Sequence, residues 1–186
     1  MLCGSRVFAN KSDADGGTRD FSDSRLPKKI NSRRIDSFSY SFDNHSAVCP
    51  DDEALTGGAY RLGLQRIDVD KAKMTIGGSN RFGDDINIEA EVPADSLERL
   101  QEIIERQGLA SVNGWHKRSS ALGRFSLNVV YDSKEIIKIS GQGGFMVIPD
   151  CLKSYPYLKL FKDLAEASGY DFTTGEKKPQ DQAITK

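Results

Sequence analysis

The alternation of Ile86, Ile88, Ala90 and Val92 with Asn87, Glu89 and Glu91, followed at once by an amphipathic stretch, constrains this chain more than any other feature. A period of two sends the apolar side chains to one side of a strand and the polar ones to the other. Pro93 has no amide hydrogen and ends the ladder. Asp95 stands three residues before Glu98, a capping-box spacing with Asp in place of Ser or Thr, which predicts a helix start. Leu97, Leu100, Ile103 and Ile104 then fall on one stripe, while Glu98, Arg99, Glu102 and Glu105 face away. Gly108 supplies the stop. Burial of the four aliphatic side chains contributes about 6–12 kcal/mol, an upper bound because an unfolded chain is already partly collapsed. Such a helix needs a sheet to lie on, so Asp85–Trp115 is the unit around which the fold is organised.

The 186 residues suffice for one domain with a sizeable core. A formal charge of −1 creates no overall field to recruit nucleic acid or an anionic membrane. No apolar run reaches the length of a membrane-spanning helix. Cys3, Cys49 and Cys151 lack metal-ligand spacing. A Cys49–Cys151 bridge is open to the chain in an oxidising compartment, with free thiols the plainer reading.

Residues 1–34 read as a disordered leader and linker. Asn10–Asp23 is rich in Ser, Asp and Gly with a single aromatic, too little apolar surface to offset ordering. The basic group Lys28, Lys29, Arg33 and Arg34 reads as solvated linker, with an anionic partner as the sharper alternative. Leu2–Ala9 is too short and broken for a signal peptide, so the chain as given reads as cytoplasmic. Cys3-Gly4-Ser5 before a flexible polar stretch also matches the mature end of a bacterial lipoprotein. Cys3 would be lipidated, and the protein tethered to the envelope, if the reading frame extends upstream.

The domain proper is expected over residues 35–172. Ile35–Phe42 (IDSFSYSF) reads as a first strand, placed at an edge by its serines. Ala59–Val69 and Ala72–Ile76 form further strands around a tight turn, ahead of the strand at Ile86. His116–Gly123 is a basic loop. Phe125–Tyr131 and Glu135–Ile139 form a hairpin, and a second helix carries Leu158, Phe161, Leu164 and Ala165 after Pro156, ending at Gly169. Residues 173–186 read as a disordered tail. The expected architecture is α+β: a mainly antiparallel sheet of about six strands, in the order four strands, helix, two strands, helix, with both helices on one face.

No catalytic constellation, metal set or cofactor fingerprint emerges. The glycine-rich stretch Gly141, Gly143, Gly144 and Phe145 lacks both the Lys-Ser/Thr of a phosphate loop and an immediately following helix, so it reads as a tight turn. His116, Lys117 and Arg118 beside Trp115, with Arg124 nearby, form a candidate site for a small anionic ligand. Its plainer reading is a Trp115 core anchor with a solvated basic loop. Asp51-Asp52-Glu53 and Asp84-Asp85 lack calcium-loop spacing, and His45 with Cys49 lacks two zinc ligands. Glu89 and Glu91 read as charges that discourage edge pairing.

Val112-Asn113-Gly114-Trp115, the strand–turn–strand from Arg124 to Gly141, and the downstream proline and helix resemble a loose group of uncharacterised bacterial α+β domains found in envelope-associated proteins. The resemblance covers residues 35–172. It implies the order strand, helix, Trp–Gly neighbourhood, hairpin, glycine-to-proline loop and final helix, and no activity. The reading reached is a non-enzymatic binding or interaction module whose partner is a protein or a small anionic ligand. The alternative is a small hydrolase or anion-binding enzyme using the 115–123 and 141–144 loops.

Overall fold

The computed structural model describes residues 17–43, 55–143 and 147–179. In chain order the elements are β1 (Arg19–Asp20), β2 (Ile35–Asp43), β3 (Ala59–Arg66), β4 (Lys71–Ser79), β5 (Asp85–Pro93), α1 (Asp95–Arg106), a 3-10 turn (Leu109–Val112), β6 (His116–Arg118), β7 (Arg124–Tyr131), β8 (Ile136–Gln142) and α2 (Tyr155–Ala167). The strands make one sheet in the order β1-β6-β8-β7-β2-β3-β4-β5. Every pairing is antiparallel except β6 with β8.

The α+β class and the mainly antiparallel sheet agree with the sequence expectation, but the sheet has eight strands rather than about six. The additional strands, β1 and β6, have two and three residues. They are polar and too short to show a period, so the basic loop expected from His116 begins as a strand. The expected edge position of β2 is also wrong: it pairs on both sides, with β3 and β7. Its buried Phe38, Tyr40 and Phe42 alternate with Ser39 and Ser41. Those serines occupy the sheet's second face, which the helices leave uncovered, and an open face selects polar side chains as strongly as an edge does.

Both helices cover the other face. Phe38 stacks on Tyr157 of α2 with centroids 5.5 Å apart, and Tyr40 meets the same ring edge-on at 5.3 Å. On that face of β7, the Tyr131 hydroxyl donates to Oε1 of Gln101 in α1 at 3.0 Å, and burial pushes this hydroxyl up to about 12. Leu97, Leu100 and Ile104 are buried in one continuous core with Leu158, Phe161 and Ala165 of α2. Ile103 is only partly covered.

The expected capping box does not form. Ala94 is the N-cap of α1 and has no side-chain cap. Asp95 and Glu98 lie inside the first turn, where a negative charge is favoured by the helix dipole. Gly108 follows the helix at φ 63°, in the left-handed region that suits glycine. Ser154 occupies the N-cap of α2, with proline in the first turn.

Residues 17–34, assigned from composition to the leader, run against the sheet. The Phe21 amide donates to the His116 carbonyl at 2.8 Å and that of Asp23 to the Gly114 carbonyl at 2.9 Å. Asn113, fully buried, donates through Nδ2 to the carbonyls of Pro27 (3.0 Å) and Ile136 (2.8 Å) and accepts the Lys138 amide at 2.8 Å. Its own carbonyl accepts from Lys28 Nζ. At the other end, part of the segment read as a tail turns back. The Thr173 carbonyl accepts from Asn80 Nδ2 at 3.1 Å, and the Lys178 amide donates to the Gly169 carbonyl at 2.7 Å.

Candidate functional site

Strand alternation divides the expected basic cluster between the two faces of the sheet. On β6, Lys117 points to the helix side. Its Nζ lies 4.0 Å above the Trp115 ring and 3.7 Å from Oδ2 of Asp20, so its charge is already engaged. Trp115 is half-buried against the core and donates from Nε1 to the Val147 carbonyl at 2.8 Å. Its structural reading is the one these contacts favour.

His116 and Arg118 point to the uncovered face. His116 Nδ1 lies 2.7 Å from Oγ of Ser140, and Arg118 Nε donates to His116 Nε2 at 3.1 Å. An arginine has no acceptor, so Nε2 must be the bare nitrogen and Nδ1 must carry the proton. The Ser140 hydroxyl is therefore the acceptor. That direction is the reverse of the one a base needs to activate a serine, and a guanidinium stands where a triad would place a carboxylate. In this arrangement the pair is not a nucleophile and its base.

A row of cations crosses the same face. Arg19 of β1 stands directly opposite Arg118 of β6; Arg118 is in register with Gln142 of β8, and Gln142 with Arg124 of β7. Directly opposed residues share a face and repel when they carry like charge. Neighbouring strands lie about 4.8 Å apart, so Arg118 and Arg124 are roughly 10 Å apart across Gln142. Among the described residues no carboxylate pairs with Arg19, Arg118 or Arg124. Beside the row is a hollow of about 330 Å³ lined by Arg19, Phe21, Arg118, Ser119, Ser120 and Gln142. Phe21 is half exposed, with the Arg118 guanidinium 5.6 Å from its ring centre.

The two loops expected to flank the hairpin do meet here. The Ser119 amide donates to the Gln142 carbonyl at 2.6 Å, and Gly143 to the Gly123 carbonyl at 2.9 Å. The glycines serve close approach. A Cβ on Gly141 would lie 2.4 Å from the Phe125 ring, and one on Gly143 would lie 2.0 Å from Ser119 Oγ. Gly144 is outside the described residues, as are Cys3, His45, Cys49 and the 51–53 acidic run.

On the far edge of the sheet the charges are matched. Glu89 pairs with Lys73 at 2.8 Å and Glu91 with Lys71 at 2.9 Å on edge strand β5. Asp84 accepts from Asn80 Nδ2 at 3.0 Å, and burial pushes the Cys151 thiol up, away from its reactive form. Among the described residues, no group of three or more His, Cys, Asp or Glu could hold a metal ion, and no helix is long and apolar enough to cross a membrane.

Sequence reasoning singled out Arg118 and Arg124 and covered Ser119, Ser120 and Gln142 only as parts of the 115–123 and 141–144 loops, but missed Arg19 and Phe21. Arg19 enters only through pairing with a strand about a hundred residues away, a relation no local pattern carries. No family model matches the chain, and no curated protein does either.

Proposed function

We propose that the protein is a non-enzymatic binding module that takes an anionic ligand, of phosphate, sulfate or carboxylate type, at the β1–β6–β8–β7 end of its uncovered sheet face. One observation carries this reading: Arg19, Arg118 and Arg124 stand in one lateral row without carboxylate partners among the described residues, beside a hollow with hydroxyl and aromatic lining. Like charges placed side by side cost free energy in the absence of a ligand, and an anion bridging them converts that cost into charge-assisted hydrogen bonds. Guanidinium forks suit planar or tetrahedral oxyanions better than isolated ammonium groups do. Phe21 offers a flat apolar surface for the ligand's uncharged part.

Isothermal titration with tripolyphosphate tests the reading. Wild type is expected to bind with a Kd near or below about 1 mM, equivalent to about 4 kcal/mol, weakening as salt rises. The Arg118→Ala/Arg124→Ala variant is expected to bind at least about tenfold more weakly. No heat from wild type, or an undiminished signal from the variant, overturns the proposal. The alternative of a small hydrolase on the same loops has the His116–Ser140 contact on its side, but the direction of that hydrogen bond supports binding better.

A further inference from the structure

A second hollow, of about 560 Å³, lies where the start of β2, the end of β3 and the exposed face of α1 meet. Arg33, Arg34 and Arg66 line it from the sheet side, with Arg33 already paired to Glu105 of α1 at 2.9 Å, and Glu98 and Glu102, one helical turn apart on α1, line it from the helix side. The Arg66 guanidinium donates through Nε to the Ile35 carbonyl at 3.1 Å, which fixes its stem. Among the described residues, neither Arg34 nor Arg66 is within ion-pair distance of Glu98 or Glu102. Buried Leu97 forms part of the floor, and Val69 stands at the rim with 72% of its surface exposed.

With Arg33 engaged by Glu105, two cations and two anions unpaired among the described residues face each other across the hollow, with apolar surface between them, a pattern no singly charged ligand satisfies. An anion would leave Glu98 and Glu102 repelling each other at i, i+4, and a cation would leave the arginines unmatched. A molecule with a carboxylate at one end, an ammonium at the other and an apolar body satisfies both walls and covers Val69. The volume lies within the range of small-molecule sites and exceeds what one amino acid needs. We infer that this hollow binds a zwitterionic ligand of dipeptide size, its carboxylate held by Arg34 and Arg66 and its ammonium by Glu98 and Glu102. This site is independent of the arginine row.

Titration of the full chain with leucyl-leucine, followed through amide chemical shifts, is expected to give saturable changes at Arg34, Val69 and Glu102. N-acetyl-leucyl-leucine lacks the ammonium and leucyl-leucinamide lacks the carboxylate; each is expected to bind at least about tenfold more weakly. In Arg34→Ala the acid and its amide should bind alike. In Glu102→Gln the free and acetylated forms should differ less than in wild type. No saturable change at millimolar leucyl-leucine, or equal binding when either end is blocked, overturns the inference. Added inorganic phosphate should leave these shifts in place, which separates this site from the arginine row.

Discussion

Arg19 stands directly opposite Arg118 across the β1–β6 pair, and neither has an acidic partner among the described residues. The next pair along the same strands, Asp20 with Lys117, is of opposite charge and in contact at 3.7 Å. The two sides of one short pairing are thus matched on the helix face and mismatched on the open face. An edge pairing of two residues has little other stabilisation to spend on such a mismatch.

Replacing Arg19 by glutamate turns the mismatch into a cross-strand ion pair. Arg19→Glu is expected to strengthen the β1–β6 pairing by about 0.2–1 kcal/mol. The readout is slower hydrogen exchange at the Phe21 amide, which is bonded to the His116 carbonyl.

Asn113 joins three parts of the chain through one buried amide, holding Pro27, Ile136 and Lys138 together. Asn113→Ala leaves two carbonyls and an amide without partners, and urea unfolding is expected to show a loss of about 2–4 kcal/mol. Loss of protection at the Lys138 amide, which donates to Asn113 Oδ1, should accompany it.

Ser96 shows the converse. Its Oγ is buried in the first turn of α1 without a hydrogen-bond partner among the described residues. Ser96→Ala removes an unsatisfied group and adds helix propensity, so a gain of about 0.5–1.5 kcal/mol is expected in the same unfolding experiment.

Glu135 accepts the amides of Ser32 and Asn31, both at 3.0 Å, and the Ser133 hydroxyl at 2.8 Å. These bonds, those from the Ser32 and Asn31 backbone first, hold its carboxyl down at about 2 against an ordinary 4.5. The folded form therefore favours the carboxylate. The stabilisation is fully present above pH 4.5 and is lost as the pH falls through that window towards 2. Protection of the Asn31 and Ser32 amides, taken relative to their intrinsic exchange rates at each pH, should fall across that range in wild type and show no such step in Glu135→Gln.

Legibility in the sequence followed how locally each feature is encoded. The strand at Ile86 and the stripe of Leu97, Leu100 and Ile104 were readable because their periods repeat within a dozen residues. Ser39 and Ser41 were visible but ambiguous, since an open face and an edge make the same demand on a side chain. The segment from Arg19 to Arg34 was misassigned because its order comes from single hydrogen bonds to Asn113, Gly114, His116 and Glu135, none of which leaves a trace in composition. The candidate site inherits that limit. Arg118 and Arg124 stood out beside Trp115, whereas Arg19 became their neighbour only once the sheet was closed at its β1 edge.

The most direct test of anion binding at the arginine row is a titration with inorganic phosphate, monitored at the amides of Arg118, Ser119 and Ser120 in wild type and in Arg19→Glu. Saturable shifts in wild type, with affinity reduced at least about tenfold in the variant, are the expected result. Shifts of equal size and midpoint in both proteins, or none in wild type, would contradict it.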